Sequence, residues 1–179
     1  MNAFPERPVD WDNAEQEKEV FARFGLASYH AQCFEHSVVN LLLTAELVAA
    51  SKVVDSKEAW EQLVDHILDS SFELTLGNIL RRLEQRIAIE PRTMKIIRDA
   101  KDRRDWLAHR FFREHAEDFV TSSGRLRMLD VVEEHGTHIY EAMQIVDLIE
   151  GATAKHLGDT PERREEFYSR YFKEVLARE

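Results

Sequence analysis

The sequence predicts an all-α protein, a bundle of about five to six helices joined by short connections. Only 6 glycines and 4 prolines occur among its 179 residues, and residues that favour helices, such as alanine, leucine, glutamate and arginine, are plentiful. Apolar residues recur every three or four positions over long stretches, which is the period of a helix with one buried face. No stretch shows the apolar and polar alternation that is typical of a half-buried strand.

The first half of the chain predicts three helices. We expect residues 1–12 to form an extended tail. Apolar residues spaced by three and four then predict one long helix over about Asn13–Ser51, which Gly25 could kink or divide. A second helix is predicted to begin near Ser56, and a third to span about Phe72–Arg86.

The second half of the chain predicts three more helices. Proline fits the first turn of a helix but disfavours helix at the residue before it, so a fourth helix is expected over about Pro91–His115. The string TSSG at Thr121–Gly124 is typical of a loop. A fifth helix is expected over about Arg125–Leu157, and a last short one from Pro161.

Length and composition predict a single cytoplasmic domain over residues 13–179. One cysteine, Cys33, allows no internal disulfide, which favours a reducing compartment. The N-terminus lacks the basic and apolar regions of a signal peptide. The most apolar run, Val38–Ala50, is too short to span a bilayer and contains Glu46. We therefore expect no membrane association.

The charge of the chain is unevenly distributed. The net charge is −10, yet residues 81–113 contain eleven basic and five acidic side chains, so this segment carries +6 and the remainder −16. A basic island in an acidic protein can bind a polyanion. It can equally be a solvated helix face with ion pairs along the helix.

Arg104 lies in an unusual position on the fourth helix. At 100° per residue it falls at the centre of an apolar stripe, formed by Ile97, Ala100, Leu107, Ala108 and Phe111. A buried guanidinium without a partner is costly, so Arg104 needs an acid, an interface or a ligand. Glu35 lies among apolar residues of the first helix, and a structural Glu35–Arg104 ion pair is one interpretation.

Arg104 also begins a short polar motif, with Asp105 directly after it and His109 five positions on. This Arg-x-x-x-x-His pattern, late in a helical bundle, resembles the HEPN superfamily, the "higher eukaryotes and prokaryotes nucleotide-binding" domains. Many members carry an arginine, a polar residue, three to five further residues and a histidine on a late helix of an all-α bundle. The motif spans six residues, and its helical context extends the resemblance over most of the chain.

The resemblance implies metal-independent cleavage of RNA in a cleft between two protomers, and a role in a toxin or anti-phage system. Histidine accepts a proton near neutral pH, so His109 would activate the ribose 2′-hydroxyl. Arg104 would stabilise the charge on the phosphorane, and Asp105 would orient His109. By charge and proximity, Arg103 and Arg110 are expected to contact RNA phosphates. No cofactor is expected, and an antitoxin or other protein is a possible partner besides a second copy.

Geometry and charge leave other interpretations open. About 140° separates Arg104 and His109 on an ideal helix, so the length of arginine, a local distortion or a contribution from two protomers must bring them together. A HEPN-like module without nuclease activity, which binds a protein partner or a nucleotide, fits the acidic remainder equally well. A purely structural role for Arg104 is a third possibility. Glu134 and His138 are four apart but lack a second Glu-x-x-His, so no metal site is expected.

Overall fold

A computed structural model of the chain describes residues 3–7, 11–51, 54, 56–72, 74–158 and 160–176. Within these residues it contains six helices of nine residues or more, one single-turn helix and no strand, which confirms the predicted all-α bundle. The helices are α1 (Asn13–Ala50), α2 (Lys57–Phe72), α3 (Leu76–Glu84), α4 (Pro91–His109), α5 (Phe111–Glu114), α6 (Ser122–Ala154) and α7 (Pro161–Leu176).

Helices α1 and α6 form the centre of the bundle. Their contacts follow the same order along both helices, from Gln16 with Arg125 at one end to Thr44 with Glu150 at the other, so the two helices are parallel. Helices α3 and α4 pack beside them. The largest fully buried side chains come from all four helices and from α5, and include Phe34, Leu41, Leu83, Ile97, Phe111, Met128 and Ile139.

The start of α1 is defined by reciprocal hydrogen bonds. The Asp12 side chain accepts a hydrogen bond from the Glu15 amide at 2.8 Å, and the Glu15 carboxylate accepts one from the Asp12 amide at 2.9 Å. These bonds satisfy amides that have no partner within the helix. The helix then continues through Gly25, so the possible division of the helix at this glycine is wrong. Packing of α1 against α6 outweighs the roughly 1 kcal/mol by which glycine disfavours helix.

The predicted end of the fourth helix is wrong. Helix α4 ends at His109 and not near His115, because the backbone at Arg110 leaves the helical region, with φ −126° and ψ −30°. A new turn, α5, follows at once. The break allows Phe111 to enter the core and brings Glu114 to Trp106, whose indole nitrogen donates a hydrogen bond to the Glu114 carboxylate at 2.8 Å.

Two predicted helix starts are also wrong, for a common reason. The third helix begins at Leu76 rather than Phe72, because Thr75 is its N-cap. The predicted loop Thr121–Gly124 is in fact the first turn of α6. The Thr121 hydroxyl accepts a hydrogen bond from the Gly124 amide at 3.0 Å, which caps the helix. Thr75, which was expected within a helix, and Thr121, which was expected in a loop, are therefore both capping residues.

Gly124 is required by a close approach of two backbone segments. A Cβ atom at this position would lie 2.1 Å from the carbonyl oxygen of Asp118 and 2.6 Å from its Cα. Both atoms belong to the backbone, so a clash cannot be relieved by rotating a side chain. Glycine here permits the three-residue 3₁₀ turn Asp118–Val120 to pack against the first turn of α6.

We expect Gly124→Ala to lower the free energy of unfolding by about 3 kcal/mol, the upper part of the usual range for overpacking. Gly25 provides a matched control, since a Cβ there would meet no atom within 4 Å. Gly25→Ala should raise the free energy of unfolding by about 0.5–1 kcal/mol through helix propensity alone. Urea unfolding followed by circular dichroism measures both. Equal effects of the two substitutions would contradict the steric explanation.

Helix α1 has the length and composition of a membrane-spanning helix. It has 38 residues, and half of its most apolar 18-residue window is buried within the bundle. The same helix contains buried polar side chains, among them Arg23 and Glu46. A cytoplasmic location without membrane association stays a prediction from the sequence, as does the division into a tail and one domain.

Candidate functional site

Helix α4 holds Arg104 at the rim of the bundle. Proline at its first turn and the Glu90 side chain, which accepts a hydrogen bond from the Thr93 amide at 3.0 Å, define its start. Its inner side buries Ile97 and Leu107 as the helical wheel predicts, but Ala108 is exposed. The Arg104 side chain is 29% exposed, so the arginine is at the boundary and not inside the core.

Two carboxylates hold the Arg104 guanidinium. Its Nη2 atom forms an ion pair with Glu35 of α1, and its Nη1 atom donates a hydrogen bond to Asp105 at 2.8 Å. The structure thus brings together Glu35 and Arg104, the two residues of the structural ion-pair interpretation. Because both side chains are over a quarter exposed, the pair contributes only about 0–1 kcal/mol to stability.

Asp105 connects Arg104 to a third charged group, Lys101. The Lys101 ammonium lies 2.9 Å from the Asp105 carboxylate. Burial alone would raise the pKa of Asp105, but hydrogen bonds from Lys101 and Arg104 outweigh it, so the pKa lies below its usual value. Asp105 is therefore ionised at neutral pH. Among the described residues its hydrogen bonds go to Lys101 and Arg104, and none joins it to His109.

His109 is the last residue of α4 and is exposed. The helix is continuous from Arg104 to His109, so the two side chains leave it about 140° apart, as on an ideal helix. The helix is not interrupted between them. Within one chain, the geometry does not gather the two motif residues into one cleft, and a second protomer or a large movement of the arginine is needed.

The basic island is largely neutralised where it meets other helices. Six of its eleven cations form ion pairs: Arg82 and Arg86 with Glu46, Arg98 with Glu84, Lys101 with Asp102 and Asp105, Arg103 with Glu134, and Arg104 with Glu35 and Asp105. Five form no ion pair within the part of the chain that the structure describes: Arg81, Arg92, Lys95, Arg110 and Arg113. The two residues expected to contact phosphates therefore differ, since Arg103 is paired and Arg110 is not.

A cluster of rings between α4 and α6 was not anticipated from the sequence. The Trp106 and His135 ring centroids are 4.4 Å apart, and the Nδ1 atom of His135 has no hydrogen-bond partner among the described residues. Burial, with Arg103 nearby, lowers the pKa of His135. These residues are 29 positions apart in the sequence, and no local pattern signals their contact.

The histidines of α6 do not assemble a metal site in this structure. The Nδ1 atom of His138 lies 2.8 Å from the backbone carbonyl of Glu134, and the Glu134 carboxylate pairs with Arg103 at 3.2 Å. Within the described residues, no group of three or more histidine, cysteine, aspartate or glutamate side chains could hold a metal ion.

Two exposed aromatic rings lie beside the end of α4. Phe21 of α1 is 56% exposed and Phe112 of α5 is 37% exposed, and their ring centroids are 5.6 Å apart. Phe112 is three positions from His109 and next to the unpaired Arg113. Periodicity could not reveal this pair, because the break at Arg110 is what directs Phe112 outward.

Comparisons of the chain with protein-family models, with curated proteins and with solved structures find no match. The helices themselves define the class of the protein, an all-α bundle. Any function has to be argued from the chemistry and geometry of the residues around Arg104 and His109.

Proposed function

We propose that the chain is a metal-independent endoribonuclease of the HEPN type, in a toxin or anti-phage role. One observation carries the proposal. The exposed His109 ends α4 beside Arg110 and Arg113, two cations that form no ion pair with any described residue. A proton acceptor flanked by uncommitted positive charge suits a phosphodiester substrate.

The chemistry needs no metal ion. His109 accepts the proton of a ribose 2′-hydroxyl as its oxygen attacks phosphorus, and the bond from phosphorus to the 5′-oxygen breaks. The products are a 2′,3′-cyclic phosphate and a 5′-hydroxyl, whose oxygen takes its proton from water, while His109 later releases its proton to water. Arg104 stabilises the negative charge that develops on the phosphoryl oxygens. Arg110 contacts a neighbouring phosphate, and Arg103 can do so only after it leaves Glu134.

The proposal assigns this chemistry to two copies of the chain. Arg104 and His109 diverge by about 140° on a regular helix, so the His109 of one protomer would work with the Arg104 of another, without a large movement of either side chain. The exposed Phe21 and Phe112 rings supply apolar surface close to His109 for such a contact. The proposal is therefore a homodimer with composite sites.

Glu35 has a role in this proposal that can be measured, because it competes with phosphate for Arg104. We expect Glu35→Gln to bind single-stranded RNA about two- to fivefold more tightly, as expected from the loss of a competing boundary ion pair. Fluorescence anisotropy with a 2′-O-methyl RNA, which cannot be cleaved, measures the Kd at fixed salt. Glu141→Gln, an exposed carboxylate of α6, controls for the change in net charge. Equal affinities of the two variants would contradict the competition.

The test of the proposed function is cleavage of single-stranded RNAs by the purified protein in EDTA. We expect products that end in 2′,3′-cyclic phosphate, identified by mass spectrometry. The same RNA with a 2′-O-methyl group at the cleaved position should stay intact, because the attacking hydroxyl is blocked. Absence of cleavage over a broad set of RNAs would overturn the proposal.

A non-catalytic HEPN-like module is the second candidate, and the pairing of Arg104 favours it. Glu35 and Asp105 already satisfy this arginine, so it need not meet a phosphate at all. The exposed Phe21 and Phe112 would then contact a protein partner. Stable binding of a protein or a nucleotide without turnover would support this function over the nuclease.

A further inference from the structure

The N-terminal segment, residues 3–7, is attached to α1 and α6 through a socket for Phe4. Gly136 of α6 forms the floor of this socket, since a Cβ there would lie 2.5 Å from the Phe4 ring and 3.1 Å from Ala27. The Arg23 guanidinium lies 5.9 Å from the centre of the Phe4 ring, within the range of a cation–π contact. The fit depends on small residues on both helices.

Arg7 forms the second attachment point. Its Nε atom lies 2.8 Å from the Glu133 carboxylate and its Nη1 atom 2.8 Å from the Asp130 carboxylate. Glu133 also pairs with the buried Arg23. A groove of about 550 Å³ lies beside the segment and is lined partly by Pro5, Thr137, Tyr140 and Glu141. The segment is therefore held at Phe4 and at Arg7 and borders a groove on α6.

His30 lies directly beneath the Phe4 anchor. It is 7% exposed, and its Nδ1 atom has no hydrogen-bond partner among the described residues. Its ring meets Phe4 edge-on at 5.8 Å between centroids, with Tyr140 of α6 at 5.0 Å and Tyr29 of α1 at 6.2 Å. These neighbours offer a protonated ring no carboxylate.

The described charged groups nearest the Phe4 ring are paired with one another. Arg23 of α1, across the Phe4 ring, is paired with Glu19 and Glu133. Carboxylates, tyrosines and arginines ordinarily titrate outside the range from pH 5.5 to 7.5. Among the described side chains around Phe4, His30 is thus the group whose charge ordinarily changes between pH 7.5 and 5.5.

We propose that the N-terminal segment is a strap that acid opens, with His30 as the proton acceptor beneath Phe4. Of the three described rings that contact His30, Phe4 lies outside the helices, so lifting the strap would admit water to the imidazole ring. The protonated imidazole is then hydrated, which favours the open form. The proposal does not depend on the proposed nuclease function.

The direction and size of the effect follow from proton linkage. Burial lowers the pKa of His30 in the closed form, so the open form binds protons more readily. The closed form is fully favoured above the ordinary histidine pKa, and its population decreases as the pH falls below that value. With an ordinary value near 6.5 in the open form, the ratio of open to closed strap rises by at most about tenfold between pH 7.5 and 5.5.

Fluorescence anisotropy of a dye on the strap tests the proposal. The dye is attached to Ala3→Cys in a Cys33→Ala background, and Phe4→Ala in the same background gives the value of an open strap. We expect the anisotropy to fall toward that value as the pH is lowered from 7.5 to 5.5. With His30→Gln added, it should stay constant over the same range.

An unchanged anisotropy in the protein that retains His30, or an equal fall with His30→Gln, would overturn the proposal. Circular dichroism verifies that each variant is folded at both pH values. If His30→Gln does not fold, His30→Leu replaces it, because leucine also lacks a titratable group and suits an apolar site. A fall that persists in the leucine variant would likewise assign the opening to another group.

Discussion

Replacing His109 with alanine is expected to lower the rate of RNA cleavage by about 10²–10⁴-fold, the usual contribution of a general base. The melting temperature should not change, because His109 is exposed at the end of α4 and surface substitutions usually alter stability by less than about 0.5 kcal/mol. Rates are measured with single-stranded RNA in EDTA, and melting temperatures by circular dichroism.

A second histidine variant makes this experiment decisive. His156 is also exposed, in the three-residue 3₁₀ turn after α6. His156→Ala, purified by the same procedure, should cleave RNA like the unaltered protein. Residual activity of His109→Ala equal to that of His156→Ala would assign the cleavage to a contaminant or to another site, and would remove His109 from the mechanism.

Replacing Arg82 with alanine is expected to lower the free energy of unfolding by about 3–5 kcal/mol, the cost of breaking a buried ion pair on one side. The Glu46 carboxylate is 7% exposed, and Arg82 contacts both of its oxygens, each at 2.7 Å. Without Arg82, the ion pair that remains to this buried charge among the described residues is the longer contact to Arg86 at 3.3 Å. Urea denaturation measures the loss.

The matching double substitution separates charge from packing. Arg82→Met with Glu46→Leu removes both charges and keeps similar volume, so it should cost less than Arg82→Ala alone. Glu46→Gln leaves Arg82, which reaches solvent, and should have an intermediate effect. A loss below about 1 kcal/mol for Arg82→Ala would mean that Arg86 or water compensates Glu46 fully.

Apolar periodicity was sufficient to predict the helices, but the starts of α3 and α6 and the end of α4 were misplaced. Repeated spacings of three and four identify α1 and α6 because each buries a long stripe. Thr75 and Thr121 cap helices through single hydrogen bonds, and threonine is just as common in loops. The end of α4 at Arg110 depends on Phe111 entering the core, which is a tertiary contact.

The candidate site was predictable only where charge conflicted with the apolar pattern. Arg104 and Glu35 both fall within apolar stripes, and the structure brings them together. Trp106 with His135 and Phe21 with Phe112 are ordinary residues in their local sequence, and only folding brings them into contact. The helical wheel also placed Arg104 inside the core, whereas its side chain lies at the boundary. A wheel shows the direction of a side chain but not where the bundle ends along the helix.

The parallel arrangement of α1 and α6 has a consequence for biosynthesis. Gln16 and its contact Arg125 are 109 residues apart, so α1 leaves the ribosome long before the helix that covers it. At roughly 5–20 residues per second, the apolar side of α1 would stay uncovered for several seconds or more. Packing of α1 against α6 therefore begins late in translation, and nascent chains that end before Ser122 should depend on chaperones to remain soluble.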